Sequence, residues 1–286
     1  MIKVENLNYV YQQGMPLENH ALCDINLEIP DGSITALIGH TGSGKSTLIQ
    51  HFNALVKPTS GRILIDDLDV TKKETDLKKI RQTVGLVFQY PEHQLFEETV
   101  FLDISFGPKN MGFSEDEIKE RVCKAMEAVG LSEKYMNRSP FDLSGGQKRR
   151  VAIAGVLAMD PKVLILDEPA AGLDPKGRDS ILKMIKKLHE NNPEKTIIFV
   201  SHSMEDVAKI ADNIIVMNKG KVAMTGNVAE IFSQGEELSK MGLSVPQITV
   251  VTDKLKAMGY SLPPHIYTVE YGANAILRLI GGDKNV

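Results

Sequence analysis

Apolar residues follow two different patterns along this chain, and both patterns predict β-strands. Three N-terminal stretches alternate between apolar and polar residues, as half-buried strands do: 2–7, 21–29 and 34–38. Three later stretches are apolar at nearly every position, as parallel strands covered on both faces are: 84–88, 163–166 and 196–200. A further strand pair is expected around residues 62–66, and the turn residues 30–33 predict a tight hairpin between the second and third strands.

Apolar residues at three- and four-residue steps predict helices between these strands. The clearest helix covers residues 115–129, where charged residues occupy the opposite face. Three more helices are expected, at 46–53, 148–159 and 177–191. Beyond about residue 230 the composition loosens, and two short amphipathic helices are expected before a glycine-rich tail at 281–283. The pattern predicts an α/β fold with a helical insertion over about 90–158.

Composition is that of an ordinary globular protein and argues against several function classes. The chain has 286 residues, of which 42% are hydrophobic and 24% charged, enough for one large domain and one small one. A net charge of −4 gives no electrostatic reason to expect nucleic acid, so the basic run 148–150 is expected to be a solvated helix start. No apolar run reaches the roughly 18 residues that cross a bilayer, and the N-terminus lacks a signal-peptide layout. Cys23 and Cys123 have no metal-binding spacing and predict a reduced compartment.

The glycine-rich segment 39–46 fits the pattern G-x-x-x-x-G-K-[ST], in which backbone N–H groups surround nucleotide phosphates. The candidate nucleotide-binding residues here are Gly39, His40, Thr41, Gly42, Ser43, Gly44, Lys45, Ser46 and Thr47. The helix that follows offers the positive end of its dipole to the phosphates, and Lys45 is a cation able to reach the β- and γ-oxygens. Ser46 is placed to give its hydroxyl to Mg²⁺.

Four of the predicted strands end in polar groups that suit phosphate chemistry. In chain order these groups are the glycine loop, Gln89, Asp167 with Glu168, and Ser201 with His202. The carboxyl ends of parallel strands lie along one edge of a sheet, where open α/β folds bind ligands. The sequence therefore predicts that these groups converge on one site.

The chemistry of each side chain suggests its role at that site. Asp167 suits a Mg²⁺ ion, either directly or through water, and the neighbouring Glu168 suits a general base for an attacking water. Gln89 is expected to orient that water or contact the metal, and His202 to contact the γ-phosphate. A purely structural interpretation also exists for some of these residues. The acidic pair could form a solvated turn, and His202 could cap a helix or stabilise a turn. Tyr11 could contact an adenine ring, or it could simply pack as a hairpin tyrosine.

About a hundred residues after the glycine loop stands a second motif, Leu-Ser-Gly-Gly-Gln at 143–147. With both motifs the chain resembles the ATP-binding-cassette (ABC) ATPase family over roughly residues 2–232. The resemblance implies that residues 39–46 are the Walker A loop, 143–147 the signature motif, 163–167 the Walker B motif and 171–174 the D-loop. It also implies that Gln89 is the Q-loop glutamine, Glu168 the catalytic glutamate, His202 the switch histidine and Tyr11 the adenine contact. Ala170 departs from the family pattern, which has threonine at this position.

The family works as a head-to-tail dimer in which each signature motif covers ATP held on the opposite Walker A loop. The resemblance therefore implies two composite sites, with Ser144, Gly145, Gly146 and Gln147 contacting the partner's nucleotide. It implies a P-loop NTPase fold with a mixed sheet core, an antiparallel β subdomain and a helical subdomain. Residues 1–232 are expected to form the ATPase domain and residues 233–286 a small C-terminal extension.

A narrower resemblance is to the ATPases of energy-coupling factor (ECF) transporters, and the A2-type subunit is the more similar. The segments that carry it are 39–46, 87–96, 149–155 and 242–246. It implies a peripheral ATPase on the cytoplasmic face of the cell membrane that drives uptake of a vitamin or transition-metal ion. The implied partners are a second ABC ATPase, a transmembrane coupling subunit and a membrane substrate-binding subunit; a heterodimer is favoured and a homodimer stays open.

The region 90–106 is expected to form the groove for membrane coupling helices, with Glu92, Glu97 and Glu98 facing basic residues of the partner. Two other functions stay open at this point. An ATPase of a conventional ABC importer would share every catalytic residue, and a soluble ABC ATPase of DNA repair or translation would share the motifs. The absence of sustained heptads between the two motifs argues against the repair class. A GTPase or small-molecule kinase does not explain the motif at 143–147.

Overall fold

Two β-sheets form the centre of the protein, whose computed structural model describes residues 1–72 and 74–281. The first sheet is antiparallel and contains β1 (Ile2–Tyr11), β2 (Asn19–Ile29), β4 (Ser60–Ile65) and β5 (Leu68–Asp69). The second contains β3 (Ile34–Ile38), β6 (Val84–Val87), β7 (Val163–Asp167), β8 (Thr196–Val200), β9 (Asn213–Asn218) and β10 (Lys221–Asn227). The strand orders are β2-β1-β4-β5 and β10-β9-β3-β8-β7-β6.

The described helices lie on both faces of the six-stranded sheet and continue past β10 at the C-terminus. They are α1 (Lys45–Phe52), α2 (Leu77–Thr83), α3 (Val100–Met111), α4 (Glu115–Ala128), α5 (Gly145–Leu157), α6 (Pro175–Asn191), α7 (Met204–Ile210), α8 (Val228–Phe232), α9 (Gly235–Lys240), α10 (Gln247–Ala257) and α11 (Val269–Gly281). Short 3₁₀ turns stand at Pro91–Gln94, Glu133–Tyr135 and Pro140–Asp142.

The six-stranded sheet is mixed, as predicted. Strands β6, β7, β8, β3 and β9 pair in parallel, and only β10 pairs antiparallel at the end. Every residue of β3, β7 and β8 is buried, which explains their continuous apolar composition. Because the parallel strands all run in one direction, the polar groups that follow β3, β6, β7 and β8 do meet at one edge. The prediction of an α/β fold with a mixed sheet and an antiparallel subdomain is confirmed.

Two hydrophobic cores lie on the two faces of this sheet. One core packs Ala36, Leu164 and Phe199 against helices α3 to α7, and the other packs Leu37 and Ile165 against α1 and the antiparallel sheet. Successive residues of one strand point to opposite faces, so each buried strand contributes to both cores. This packing fixes the strand ends that carry the site.

The hairpin predicted at residues 30–33 is wrong. Strand β2 belongs to the antiparallel sheet and β3 to the parallel one, and they do not pair. The reason lies in their burial: β2 keeps an exposed face, whereas β3 is covered on both faces and fits only between β8 and β9. Its first N–H group, on Ile34, donates to the Asp212 carboxylate at 2.8 Å. The turn therefore carries the chain from one sheet to the other.

Two features of the helical insertion also differ from the sequence prediction. Helix α3 was not predicted, because Gly107 and Pro108 inside it suggest a break, yet it is capped by Thr99 and ends at Gly112 in the left-handed conformation. Helix α5 begins at Gly145 rather than at residue 148, because Ser144 caps it and forms a capping box with Gln147.

The C-terminal extension contains three described helices, α9 to α11, rather than the two that were predicted. It packs on the rest of the chain: Leu238 is buried in the main core, and the Tyr267 ring lies 5.3 Å from that of Phe232. Helix α11 reaches Gly281, and the rest of the predicted glycine-rich tail lies outside the described residues. Within residues 1–72 and 74–281, no helix is both long and apolar enough to cross a membrane.

Candidate functional site

A polar cleft of about 540 Å³ opens at the carboxyl edge of the six-stranded sheet. The loop between β3 and α1 lies along one side of it, and the residues that follow β6, β7 and β8 lie along the other. The predicted site residues that line the cleft are Tyr11, Thr41, Gly42, Gly44, Lys45, Ser46, Thr47, Gln89, Asp167, Glu168 and His202. The structure therefore brings these predicted residues together in one cleft.

The loop between β3 and α1 requires glycine for steric reasons. A Cβ at Gly39, whose φ is +154°, would lie 2.3 Å from the Met217 carbonyl oxygen, and one at Gly44, with φ of +102°, would lie 2.7 Å from the Ala21 oxygen. Gly44 is also the N-cap of α1 and offers no side-chain acceptor to the first turn. The N–H groups that begin this helix are therefore available to an anion in the cleft.

Lys45 is buried at the base of the loop. Its Nζ donates to the carbonyl oxygens of Gly39 at 2.7 Å and of His40 at 3.1 Å. Burial lowers the pKa of the Lys45 ammonium, although the nearby Glu168 and Asp167 carboxylates act in the opposite direction. The cation is thus largely removed from water and held by groups that a phosphate can replace.

Two carboxylates stand next to each other at the end of β7. Burial raises the pKa of Asp167, against the opposing effects of the Ser46 hydroxyl and the Lys45 charge. Burial and the Asp167 charge raise the pKa of Glu168 to about 7. The Glu168 backbone is left-handed, with φ of 51°, and its N–H donates to the Val200 carbonyl oxygen of β8 at 3.2 Å. A strained backbone therefore places a weakly acidic carboxyl group in the cleft.

His202 faces Glu168 across the cleft. Its Nε2 lies 2.8 Å from Oε1 of Glu168, but no hydrogen bond of acceptable geometry satisfies that buried oxygen among the described residues. Burial, together with the Lys45 charge, lowers the pKa of His202. Both shifts favour the neutral forms of these groups, so burial works against a fixed ion pair between them.

Three predicted nucleotide-binding residues lie in the loop without lining the cleft: Gly39, His40 and Ser43. The His40 ring is occupied by the Thr41 carbonyl oxygen at 2.7 Å and by Oδ1 of Asn218 at 3.2 Å. The Ser43 side chain is fully buried and has no hydrogen-bond partner among the described residues. Any contact these residues make with a nucleotide is therefore limited to their backbone.

Tyr11 lines the cleft beside Thr47. Its hydroxyl lies 3.2 Å from Oγ1 of Thr47, and its ring meets that of Tyr9 edge-on at a centroid distance of 4.7 Å. Tyr9 in turn meets the buried His51 ring edge-on at 4.8 Å. These contacts hold Tyr11 at the cleft while it remains partly exposed.

The signature residues Ser144, Gly145, Gly146 and Gln147 do not line this cleft. They stand at the N-terminus of α5, where Oε1 of Gln147 accepts from the Ser144 N–H at 3.0 Å. A Cβ added at Gly145 or Gly146 would meet nothing within 4 Å. The structure therefore separates the two motifs within one chain and leaves open space in front of the second.

Several residues that line the cleft were not predicted: Asn19, His20, Ala21, Lys219 and Gly220. The turn between β9 and β10 supports the glycine loop, because the Gly220 N–H donates to the Ser43 carbonyl oxygen at 3.0 Å. No local sequence signal marks Lys219 and Gly220, since they reach the cleft through pairing of β9 with β3, whereas Asn19, His20 and Ala21 reach it from β2 of the other sheet.

Ser46, Gln89 and Asp167 supply a hydroxyl, an amide and a carboxylate oxygen to the same cleft. Oxygen donors with few carboxylates suit Mg²⁺, which keeps several waters and binds nucleotide phosphates. Among the described residues, no three histidine, cysteine or acidic side chains are arranged so that they alone could hold a metal ion. The donor set therefore fits Mg²⁺ held partly by a nucleotide.

Comparison with known proteins gives the chain close relatives. Residues 22–171 match the family described as ABC transporter. The energy-coupling factor transporter ATP-binding protein EcfA2 of Caldanaerobacter subterraneus is 58% identical over 285 residues, covering 100% of this chain and 99% of the relative. EcfA2 of Clostridium perfringens is 58% identical over 280 residues, covering 98% of each chain.

Solved structures agree with these relatives. CbiO1 of Clostridium perfringens, described as part of the ABC transporter complex CbiONQ, superposes with a TM-score of 0.74 and is 44% identical, covering 88% of this chain and 98% of its own. A dimeric ATP-binding cassette in a post-hydrolysis state with ADP and Pi gives a TM-score of 0.70 at 31% identity, covering 80% of this chain and 99% of its own.

Proposed function

The chain belongs to the ABC transporter family and, within it, to the ATP-binding proteins of energy-coupling factor transporters, and from this membership we propose how its residues act. Proteins of this family bind ATP and hydrolyse it to drive transport, as dimers with transmembrane components. The observation that carries the proposal is the convergence of the buried Lys45 and Asp167 with the half-buried Glu168 at the edge where the parallel strands end.

The glycine loop is the proposed phosphate site. The N–H groups of the loop and of the first turn of α1 donate to the phosphate oxygens, and Lys45 exchanges its two loop carbonyls for the β- and γ-oxygens. Tyr11 contacts the adenine ring, held in place by Thr47. Ser46, Asp167 and Gln89 would hold Mg²⁺, which would neutralise charge on the phosphates.

Glu168 is the proposed general base. It takes the proton of the attacking water on its carboxylate while the β–γ phosphate bond breaks, so that ADP and inorganic phosphate leave. Its raised pKa and its unsatisfied Oε1 support this role, because a base needs an acceptor that is still free. Gln89 orients the water, and His202 contacts the γ-phosphate from a position 2.8 Å from Glu168.

The signature residues are proposed to act on the nucleotide of a second ABC ATPase. The open space in front of Gly145 and Gly146 supports this assignment, because a phosphate can approach the backbone there and meet the positive end of α5. Whether the second ATPase is a different chain, as the resemblance favours, or a second copy is decided by which chains copurify.

The proposed contact with the transmembrane coupling subunit is an apolar groove of about 610 Å³ between β6, α3 and α5. Phe96 and Phe106 line it, are 59% and 47% exposed, and meet edge-on at 5.1 Å. Asp103 also lines the groove; burial raises its pKa, although the Phe96 and Glu97 N–H groups favour the charged carboxylate. A basic residue on a docked helix would pair with it.

This assignment changes the sequence hypothesis about the three glutamates. Glu92 is paired with Arg149 inside the protein, and neither Glu97 nor Glu98 lines the groove. Lys78 and Arg81 line it from α2, so a matching helix carries acidic residues towards them and a basic residue towards Asp103. The groove thus favours one orientation of its partner.

The test is purification of the intact membrane assembly after mild detergent extraction, with its components identified by mass. We expect a second ABC ATPase, a transmembrane coupling subunit and a membrane substrate-binding subunit. Asp103→Asn should weaken retention of the coupling subunit about tenfold, whereas Glu98→Gln, which changes an exposed residue outside the groove, should not. Unchanged retention in the Asp103 variant would remove this residue from the interface. Absence of membrane components would refute the proposed function.

A further inference from the structure

Arg149 is the largest of the fully buried side chains, with 1% of its surface exposed. The solvated helix start predicted at residues 148–150 is therefore wrong for this residue. Its guanidinium forms a two-point ion pair with Glu92, with Nε 2.9 Å from Oε2 and Nη2 2.6 Å from Oε1. Its remaining terminal nitrogen, Nη1, donates to the carbonyl oxygens of Pro169 at 3.1 Å and Ala171 at 2.7 Å.

These four contacts join three segments that each carry a predicted functional group. Arg149 lies in α5, whose first turn holds the signature residues, and Glu92 lies in the 3₁₀ turn just after Gln89. Pro169 and Ala171 directly follow Glu168 along the chain. The last two segments also touch each other, because a Cβ at Gly172 would lie 3.2 Å from Cε1 of Tyr90.

Stability alone gives a weak reason for such an arrangement. Removing two charges from water carries a desolvation penalty of several kcal/mol per ion, and apolar replacements of buried ion pairs are often neutral or stabilising. A planar guanidinium, in contrast, fixes direction, because it binds a carboxylate and two carbonyls only in one plane. The contacts therefore contribute more to the relative positions of the three segments than to the stability of the fold.

We propose that Arg149 is a positioning residue that sets the Gln89 and Glu168 segments relative to the signature helix, so that hydrolysis rather than ATP binding depends on it. Its hydrogen bonds to the described residues go to Glu92, Pro169 and Ala171, none of which lines the cleft, and it acts through them. A shift of the signature helix on the partner's nucleotide is thereby transmitted to the chain's own water-orienting groups.

The first test is the paired replacement Arg149→Met with Glu92→Leu, assayed in the assembled ATPase dimer. Removing both charges avoids an unpaired buried ion, so the melting temperature should stay within a few degrees. We expect the ATP Kd and KM to change less than about twofold while kcat falls at least about tenfold, since small misplacements of reacting groups slow chemistry by such factors. The control is Arg121→Met, which removes an arginine of α4 that stacks on Phe113 and donates to the Ala158 carbonyl oxygen.

The second test is Arg149→Lys, which keeps the charge and loses the planar fork. It should lower kcat about threefold to tenfold at unchanged KM, between the parent and the paired replacement. If the paired replacement does not fold, this variant decides the question by itself. A kcat within twofold of the parent in a folded variant, or a loss confined to KM, would overturn the proposal.

Discussion

The cleft at the sheet edge and the signature end of α5 differ in almost every physical respect, although both are expected to touch the same kind of ligand. The cleft buries Lys45 and Asp167, half-buries Glu168, shifts the pKa values of all three and leaves an acceptor oxygen without a hydrogen bond. The signature residues Ser144 and Gln147 satisfy each other in a capping box and face open space. One half of the site is preorganised and largely buried, and the other is an exposed surface.

The difference indicates which part of the site is needed for ATP binding and which part a second subunit must complete for hydrolysis. A buried, partly neutralised set of charges binds phosphate with little reorganisation, because the cost of removing these groups from water is met on folding. An exposed helix terminus interacts strongly with an anion only when a second surface covers it and lowers the local dielectric constant. ATP binding should therefore depend on the cleft alone, and hydrolysis on both halves.

The largest expected effect comes from breaking the chemistry of the cleft. Glu168→Gln removes the proposed base and keeps the size of the side chain, so phosphate release should fall about a thousandfold while ATP-dependent dimer formation persists. Phosphate release and size-exclusion chromatography with ATP measure the two properties. Glu190→Gln, an exposed position on α6, is the matched control. Turnover near the parent rate would remove Glu168 from the proposed role.

A second variant should break binding instead of chemistry. Lys45→Ala removes the buried cation, and the ATP affinity of the isolated chain should fall about a hundredfold, because a charge-assisted contact in a desolvated site is lost. Calorimetric titration measures the affinity. Lys187→Ala, an exposed position on α6, is its control and should bind ATP as the parent does. Retained affinity in the Lys45 variant would show that the loop N–H groups suffice.

A substitution in the signature motif tests the difference between the cleft and the signature residues most directly. Gly146→Val adds a side chain into open space, so it should fold normally and leave the ATP affinity of the isolated chain unchanged. In the dimer, hydrolysis should fall at least about tenfold, because the added methyl groups keep the partner's phosphate from the backbone. Equal losses of affinity and hydrolysis would contradict the division between the two halves.

Sequence reasoning succeeded where periodicity and strand direction decide the outcome. Continuous apolar runs such as 163–166 identify strands buried on both faces, and the shared direction of those strands brings Glu168 and His202 to one edge. The same reasoning predicted which strand ends carry the site residues, and it required no knowledge of side-chain contacts.

It failed where tertiary packing selects among local alternatives. The turn at 30–33 has hairpin residues, but burial on both faces moves β3 into the other sheet. Arg149 follows a polar helix start and looks solvated, yet Glu92 and two carbonyl groups compensate its charge from segments far along the chain. Lys219 reaches the cleft only because β9 pairs with β3. None of these contacts leaves a local pattern.

The smallest expected effect concerns the stability of the isolated chain, and it also tests the burial on which the comparison depends. The pKa of Glu168 rises from 4.5 to about 7 on folding, so between these values the folded state holds a proton that the unfolded state has released. The free energy of unfolding therefore falls as the pH rises through this window. Glu168→Gln removes the titrating group and should remove this loss.

The gain in unfolding free energy from Glu168→Gln should consequently be larger at pH 8 than at pH 5. The full shift corresponds to about 3 kcal/mol at pH 8 and about 1 kcal/mol at pH 5, and water in the open cleft screens the charge, so an increase of about 1 to 2 kcal/mol between the two is expected. Urea unfolding at both pH values measures it, with Glu190→Gln as the exposed control. A pH-independent difference would mean that the carboxyl group is hydrated in the free subunit, and the cleft would then resemble the signature end in being completed only by a partner.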